Sequence, residues 1–185
     1  MAKGFQKSVQ ISHSKLLGIM LKAKKDSFEN SMKVFSPGVA MIQETKLYRK
    51  GTMCFNNYSC FEKVRGQSVG CGLMTLVHNS LNPVLIPTKN VSKTSLNVLV
   101  VEANINELKT RFINAYGVQE TASTEEKLEF YSVLEEEISQ TLASDRMVCL
   151  ELDANAKIGN QIIRNDPHEI SANGKLLLSI VERNN

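Results

Sequence analysis

Two apolar runs that each end in a carboxylate constrain this chain more than any other feature. Val39-Ala40-Met41-Ile42-Gln43 leads into Glu44, and Met147-Val148-Cys149-Leu150-Glu151-Leu152 leads into Asp153, with Asn155 two residues further on. Short apolar runs bounded by turn signals read as strands buried on both faces, which demands a covering layer on either side. A carboxylate just past such a strand emerges at the rim of its sheet, where it can hold a hard cation or orient a water. One ending of this kind is ordinary; two in one chain point to a shared site.

The rest of the chain supplies the layers. Lys25 to Phe35 reads as a helix with Phe28, Met32 and Phe35 on one face; Asp26 is placed to cap it, and Ser36-Pro37-Gly38 stops it. Strand-like pieces follow at Tyr58 to Phe61, Leu73 to His78 and Pro83 to Ile86, where Pro83 and Pro87 mark edge or strand-end positions. Leu96 to Ala103 and Arg111 to Tyr116 read as two strands joined by the turn Asn104-Ile105-Asn106-Glu107. Ser123-Thr124-Glu125-Glu126 forms a capping box that opens a second helix. Its apolar stripe is Leu128, Tyr131, Leu134, Ile138 and Leu142, and Glu129, Glu135, Glu136 and Glu137 belong to its solvated face. A last helix, Gly174 to Arg183, carries Leu176, Leu177, Ile180 and Val181. Residues 1–24 read as a poorly defined basic segment, and 25–185 as one domain. The order of elements fits an α/β layered fold with a mixed sheet. A terminal helix with this stripe should lead into another core strand, so the sequence reads as interrupted rather than finished.

At 185 residues, 42% apolar and 22% charged, the chain has the composition of a globular protein and not of a disordered one. No stretch is long enough to span a bilayer. The cluster Leu16 to Leu21 is too short for a signal peptide and runs into Lys22, Lys24 and Lys25. An intracellular protein, nuclear or cytoplasmic and not secreted, is expected. Cys54, Cys60, Cys71 and Cys149 have no CxxC spacing and read as buried free thiols in a reducing compartment, not as a zinc site. Residues 1–50 hold ten Lys/Arg against three Asp/Glu, while 101–150 hold four against ten. The basic third could track a phosphate backbone, or be a solvated helix face.

Taken in order, several of these segments resemble the endonuclease/exonuclease/phosphatase family, above all the endonuclease domains of non-LTR retrotransposons and the craniofacial-development-like proteins related to them. The resemblance rests on Gln43-Glu44-Thr45-Lys46-Leu47, Gly70-Cys71-Gly72-Leu73, Phe112-Ile113-Asn114-Ala115-Tyr116, Leu152-Asp153-Ala154-Asn155-Ala156 with Ile158-Gly159, and Asn173-Gly174-Lys175-Leu176-Leu177. It covers residues 25–185. It implies a mixed-sheet α/β sandwich with the site at one end, lacking its C-terminal strands in this chain, and phosphodiester or phosphomonoester hydrolysis with Mg²⁺ or Mn²⁺. Carried over residue by residue, it makes Glu44 the metal ligand, has Asp153 orient or activate the attacking water, and has Asn155 and Tyr116 contact the scissile phosphate. The implied substrate is nucleic acid, DNA before phosphoinositides or small phosphates, with no membrane involved.

The chain departs from the family at several positions. Where the family's first strand ends in Asn-Gly, Leu17-Gly18 stands here, and leucine supplies no oxygen ligand. Cys71 breaks the glycine run, Leu152 replaces the glycine before Asp-x-Asn, and Val118 stands where proline follows the site tyrosine. The family's late Asp-His pair, its general base, has no counterpart among these motifs. His168 reads as a loop residue, and His13 and His78 lack motif support. Two readings remain: a weak or inactive metal-dependent endonuclease, and a catalytically dead retroelement-derived fragment retaining at most nucleic-acid or protein binding.

Overall fold

The computed structural model describes residues 11–15, 25–45, 47, 53–64, 72–88, 97–159 and 169–184. In chain order they form β1 (Ile11–Lys15), α1 (Lys25–Phe35), β2 (Val39–Gln43), β3 (Tyr58–Lys63), β4 (Leu73–His78) and β5 (Val84–Ile86). There follow β6 (Val98–Ile105), β7 (Leu108–Tyr116), α2 (Thr124–Ala143), β8 (Met147–Asp153) and α3 (Ala172–Arg183). Among the described residues the strands make two four-stranded sheets, β1-β2-β4-β3 and β5-β6-β7-β8. Both are mixed, since β1 runs parallel to β2 and β7 parallel to β8 while the other pairs are antiparallel. This is the α/β layered fold with mixed sheets expected from the order of elements, and the sandwich that the resemblance implies. Strand β1 falls within the segment that sequence left without structure.

Period-two alternation sorts the side chains into layers. On β2, Val39 and Met41 point between the sheets, where they join Leu99 and Val101 of β6 and Phe112 of β7. Ala40 and Ile42 point the other way, against Phe28 and Met32 of α1. On the far side, Val98, Val100, Ile113 and Ala115 meet Phe130, Tyr131, Leu134 and Ile138 of α2 and Ile180 of α3. Each fully buried valine, leucine, isoleucine or methionine side chain here contributes about 1.5–3 kcal/mol.

Three expectations about faces need correction. Phe35 is exposed, because it is the last residue of α1 and the chain turns away at Ser36, whose φ is 41°. On α2 the buried stripe is shifted: Leu128 and Leu142 are half exposed, while Lys127, Glu137 and Thr141 are buried. Lys127 lays its stem inward and carries its ammonium to Glu120, whose carboxylate accepts from it at 3.2 Å. Glu137 therefore does not belong to the solvated face. Third, β2 is buried at all five positions, but β8 is not: Met147 is 56% and Leu150 37% exposed. Among the described residues β8 pairs only with β7, at the edge of its sheet.

Local signals hold more closely. Ser123 Oγ accepts from the Glu126 amide and the Glu126 carboxylate accepts from the Ser123 amide, both at 3.2 Å, which completes the capping box. The β6–β7 hairpin turns on Asn106 and Glu107 alone, with φ of 48° and 71°, the pair of positive values a two-residue turn requires. Of the cysteines, Cys54 is exposed, contrary to expectation, and Cys60 and Cys149 are half-buried. Burial, with Glu62 beside it, pushes the Cys60 thiol up to about 12, so it is a poor nucleophile. Cys71 lies outside the described residues. Among the described residues no helix is long and apolar enough to cross a membrane.

Candidate active site

The strands that carry the two carboxylates end at one rim. Glu44 follows β2, Tyr116 closes β7, and Asp153 closes β8 directly opposite Tyr116 in the parallel register. The sandwich brings the first of these to the other two: the Tyr116 hydroxyl donates to Glu44 Oε1 at 2.5 Å, across 72 residues of sequence. Asn155 belongs to the same cluster. Its backbone amide donates to Asp153 Oδ1 at 3.3 Å, and its side-chain Nδ2 donates to the Gly117 carbonyl at 2.8 Å. All four residues singled out from the sequence are therefore neighbours.

The backbone at the rim is unusual. Glu44 has φ 52° and Asn155 φ 45°, both in the left-handed region. Asparagine enters it readily; for glutamate it costs on the order of 1 kcal/mol. The turn at Glu44 is held on its far side by the Thr45 amide, which donates to the Gly72 carbonyl at 3.0 Å. Such strain aims the Glu44 carboxylate off the end of its strand towards Tyr116 and the second sheet.

The loop after β8 is tied from several sides. The Gly117 amide donates to the Asp153 carbonyl at 2.7 Å. A Cβ on Gly117 would meet the Ala154 carbonyl oxygen at 2.6 Å, so only glycine allows this approach. The fully buried Asn173 at the start of α3 donates to the carbonyls of Val118 at 2.9 Å and Asn155 at 3.2 Å. The Ser171 amide donates to the Lys157 carbonyl, and the Lys157 amide to Ser171 Oγ. Glu120 in turn accepts from the amides of Ala172 and Asn173.

Beneath the rim sit two fully buried amides. Gln43 Nε2 donates across the sheets to the carbonyls of Ala115 at 2.8 Å and Glu151 at 3.3 Å. Asn114 Nδ2 donates back to the Ile42 and Met74 carbonyls at 3.2 and 3.0 Å, and to Thr75 Oγ1 at 3.3 Å. Gln43, Asn114 and Asn173 were part of the sequence motifs but had no role there. The signal that could have found them is an amide at an otherwise apolar position next to a site residue.

Burial, reinforced by the bond to Glu44, pushes the Tyr116 phenol up to about 12; the Asn155 amide works against this and the charges of Glu44 and Asp153 with it. Tyr116 is therefore a hydrogen-bond donor at neutral pH and not a base. The half-buried carboxylates and the Asn155 amide, with the buried phenol behind them, offer oxygen donors, which suits a hard cation that keeps most of its waters. Among the described residues no group of three or more His, Cys, Asp or Glu side chains could hold a metal.

The remaining expectations fall elsewhere. His78 ends β4, and the antiparallel register pairs Val77 with Val39 and Leu73 with Gln43, which puts His78 at the opposite end of the sheet from Glu44. Leu152 and Val118 pack against the outer core of α2 and α3. Leu17, Lys22, Lys24 and His168 lie outside the described residues. Lys25 pairs with Glu29 one turn along α1, at 3.5 Å.

No protein-family model matches the chain, and no curated protein matches it in sequence. Solved structures do. The AP endonuclease LMAP from Leishmania major superposes with a TM-score of 0.72 at 14% identity, over 96% of this chain and 67% of that one. The endonuclease domain of TRAS1, a telomere-specific non-LTR retrotransposon, gives 0.66 at 14% identity, over 95% and 70%. The 3′ phosphatase NExo from Neisseria, bound to its product DNA hairpin, gives 0.65 at 14% identity, over 95% and 71%. The chain thus spans about two thirds of the length of these neighbours. At such identity the likeness is one of fold. The chain has the endonuclease/exonuclease/phosphatase fold.

Proposed function

We propose that this chain is a metal-dependent phosphodiesterase acting on nucleic acid, with DNA as its substrate and low turnover. The convergence of Glu44, Tyr116, Asp153 and Asn155 at one rim of the sandwich carries this reading. Glu44, aimed off the end of a rigid strand, would hold Mg²⁺ or Mn²⁺. Such a cation supplies charge neutralisation at the phosphate. Asp153 lies where it can orient a water, and Asn155, whose amide bonds to the Gly117 carbonyl and to the Tyr116 hydroxyl, stands beside the place a phosphate oxygen would take. Tyr116 has one proton, so it serves Glu44 or a phosphate oxygen, not both at once. Phosphoryl transfer depends chiefly on such positioning and charge stabilisation.

The reading of low turnover rests on the bases among the described residues. No described side chain brings an imidazole to this rim, and His78 is at the other end of its sheet. The same observation favours the second reading, a nucleic-acid-binding relative without catalysis. A plasmid-nicking assay with Mg²⁺ separates the two. The first expects slow nicking that EDTA abolishes and that Glu44→Ala or Asp153→Asn each reduces about a hundredfold or more. Salt-sensitive DNA binding with no nicking would support the second. Nicking that persists at full rate in Glu44→Ala would overturn the assignment of the site.

A further inference from the structure

We propose that Gln43 and Asn114 form a reciprocal clamp between the sheets and act as positioning residues for the rim; this deepens the phosphodiesterase reading and rests on it. Each amide donates into the sheet that the other belongs to. Gln43 immediately precedes Glu44. Its acceptors are the carbonyl of Ala115, next to Tyr116, and that of Glu151, on the strand that ends in Asp153. Asn114 returns the contact to the Ile42 carbonyl, one residue before Gln43, and to β4. One side chain from sheet one therefore touches the backbones of both strands that deliver the other functional groups.

Stability alone does not account for these amides. Both residues are fully buried, and Gln43 Oε1 and Asn114 Oδ1 have no hydrogen-bond partner. A buried acceptor left unpaired is destabilising. Methionine or leucine of similar volume would fill the same space without that penalty. Apolar contact, however, lets two sheets slide, whereas directional bonds in both directions fix their spacing and register. The functional groups come from different sheets and meet only at the rim, so that register sets the distance between Glu44 and the Tyr116–Asp153 pair.

Mn²⁺ binding, followed by the paramagnetic resonance of the free ion, tests the clamp without relying on turnover, with thermal melting measured alongside. Gln43→Met and Asn114→Leu remove the two halves of the clamp, and Leu134→Ala is a control that weakens the core under α2, on the face of the second sheet turned away from the clamp. The clamp variants should bind Mn²⁺ about tenfold more weakly, while Leu134→Ala melts lower with unchanged affinity. Unchanged affinity in both clamp variants overturns the clamp. So does a loss that Leu134→Ala shares in proportion to its lowered melting temperature. A wild-type chain that binds no Mn²⁺ overturns the reading of the site itself, and the clamp with it.

Discussion

Strands β2 and β8 look alike in sequence and lead to the same rim, yet they are built differently. β2 has a neighbour on both edges, α1 over one face and the second sheet over the other, and all five of its side chains are buried. β8 has β7 on one edge, and Met147 and Leu150, on its two faces, are both exposed. Glu44 is therefore aimed by packing: the strand beneath it cannot shift without disturbing two layers. Asp153 is aimed by hydrogen bonds, since its loop is tied by Gly117, Asn155 and Asn173. A bound carboxylate pair can be rigid on one side for reasons of burial and on the other for reasons of polar cross-linking.

If that contrast is right, equivalent truncations on the two strands should differ sharply. Ile42→Ala, at a fully buried position, should cost about 2–5 kcal/mol in urea unfolding. Leu150→Ala on β8, already partly in water, should cost about 1 kcal/mol or less. Equal losses would mean that β8 is packed as tightly as β2.

The ties of the β8 loop can be tested apart from its packing. Gly174 lies against that loop so closely that a Cβ would come within 2.1 Å of the Lys157 carbonyl oxygen. Gly174→Ala must push the start of α3 away from the loop, at a cost of about 1–3 kcal/mol. Because Asn173 holds the Asn155 carbonyl from the same turn, amide hydrogen exchange should quicken around residues 153–159 and not in β2. Faster exchange in both strands alike would show the two sides of the rim to be one cooperative unit.

The sequence disclosed β2 and β8 equally, as apolar runs, because hydropathy reports what a side chain prefers and not how many neighbours its strand has. The same limit explains α2. Lys127, Glu137 and Thr141 are buried by virtue of particular partners, such as the Glu120 carboxylate for Lys127 and the Arg111 guanidinium that donates to Thr141, and no periodicity rule anticipates these. The capping box and the hairpin were legible because their chemistry is local. Glu44, Tyr116, Asp153 and Asn155 were legible through their motif context, and their meeting at one rim follows from the topology. Gln43 and Asn114 were not, since their function depends on which strands face each other across the sandwich.

The smallest expected effect concerns how the other end of β8 is fastened. Arg146, just before the strand, donates to Glu102 Oε2 at 2.6 Å, and Arg111 donates to the same oxygen at 3.2 Å. Burial by itself would raise the Glu102 carboxyl, but the bonds and charges of Arg146 and Arg111 outweigh it and hold the group below the ordinary carboxylate value. A carboxyl lowered in the folded state adds stability above its unfolded value, and that stability is lost as pH falls through the folded one. Glu102→Gln should therefore weaken the fold by about 1 kcal/mol at pH 7, the arginines being partly open to water. Below the usual carboxylate range wild type and variant should converge, because the wild-type group is then protonated as well. Urea unfolding at neutral and acid pH measures this directly. A deficit that stays constant across the range would mean that shape, and not charge, anchors the start of β8, so that both ends of this strand would be held by neutral contacts.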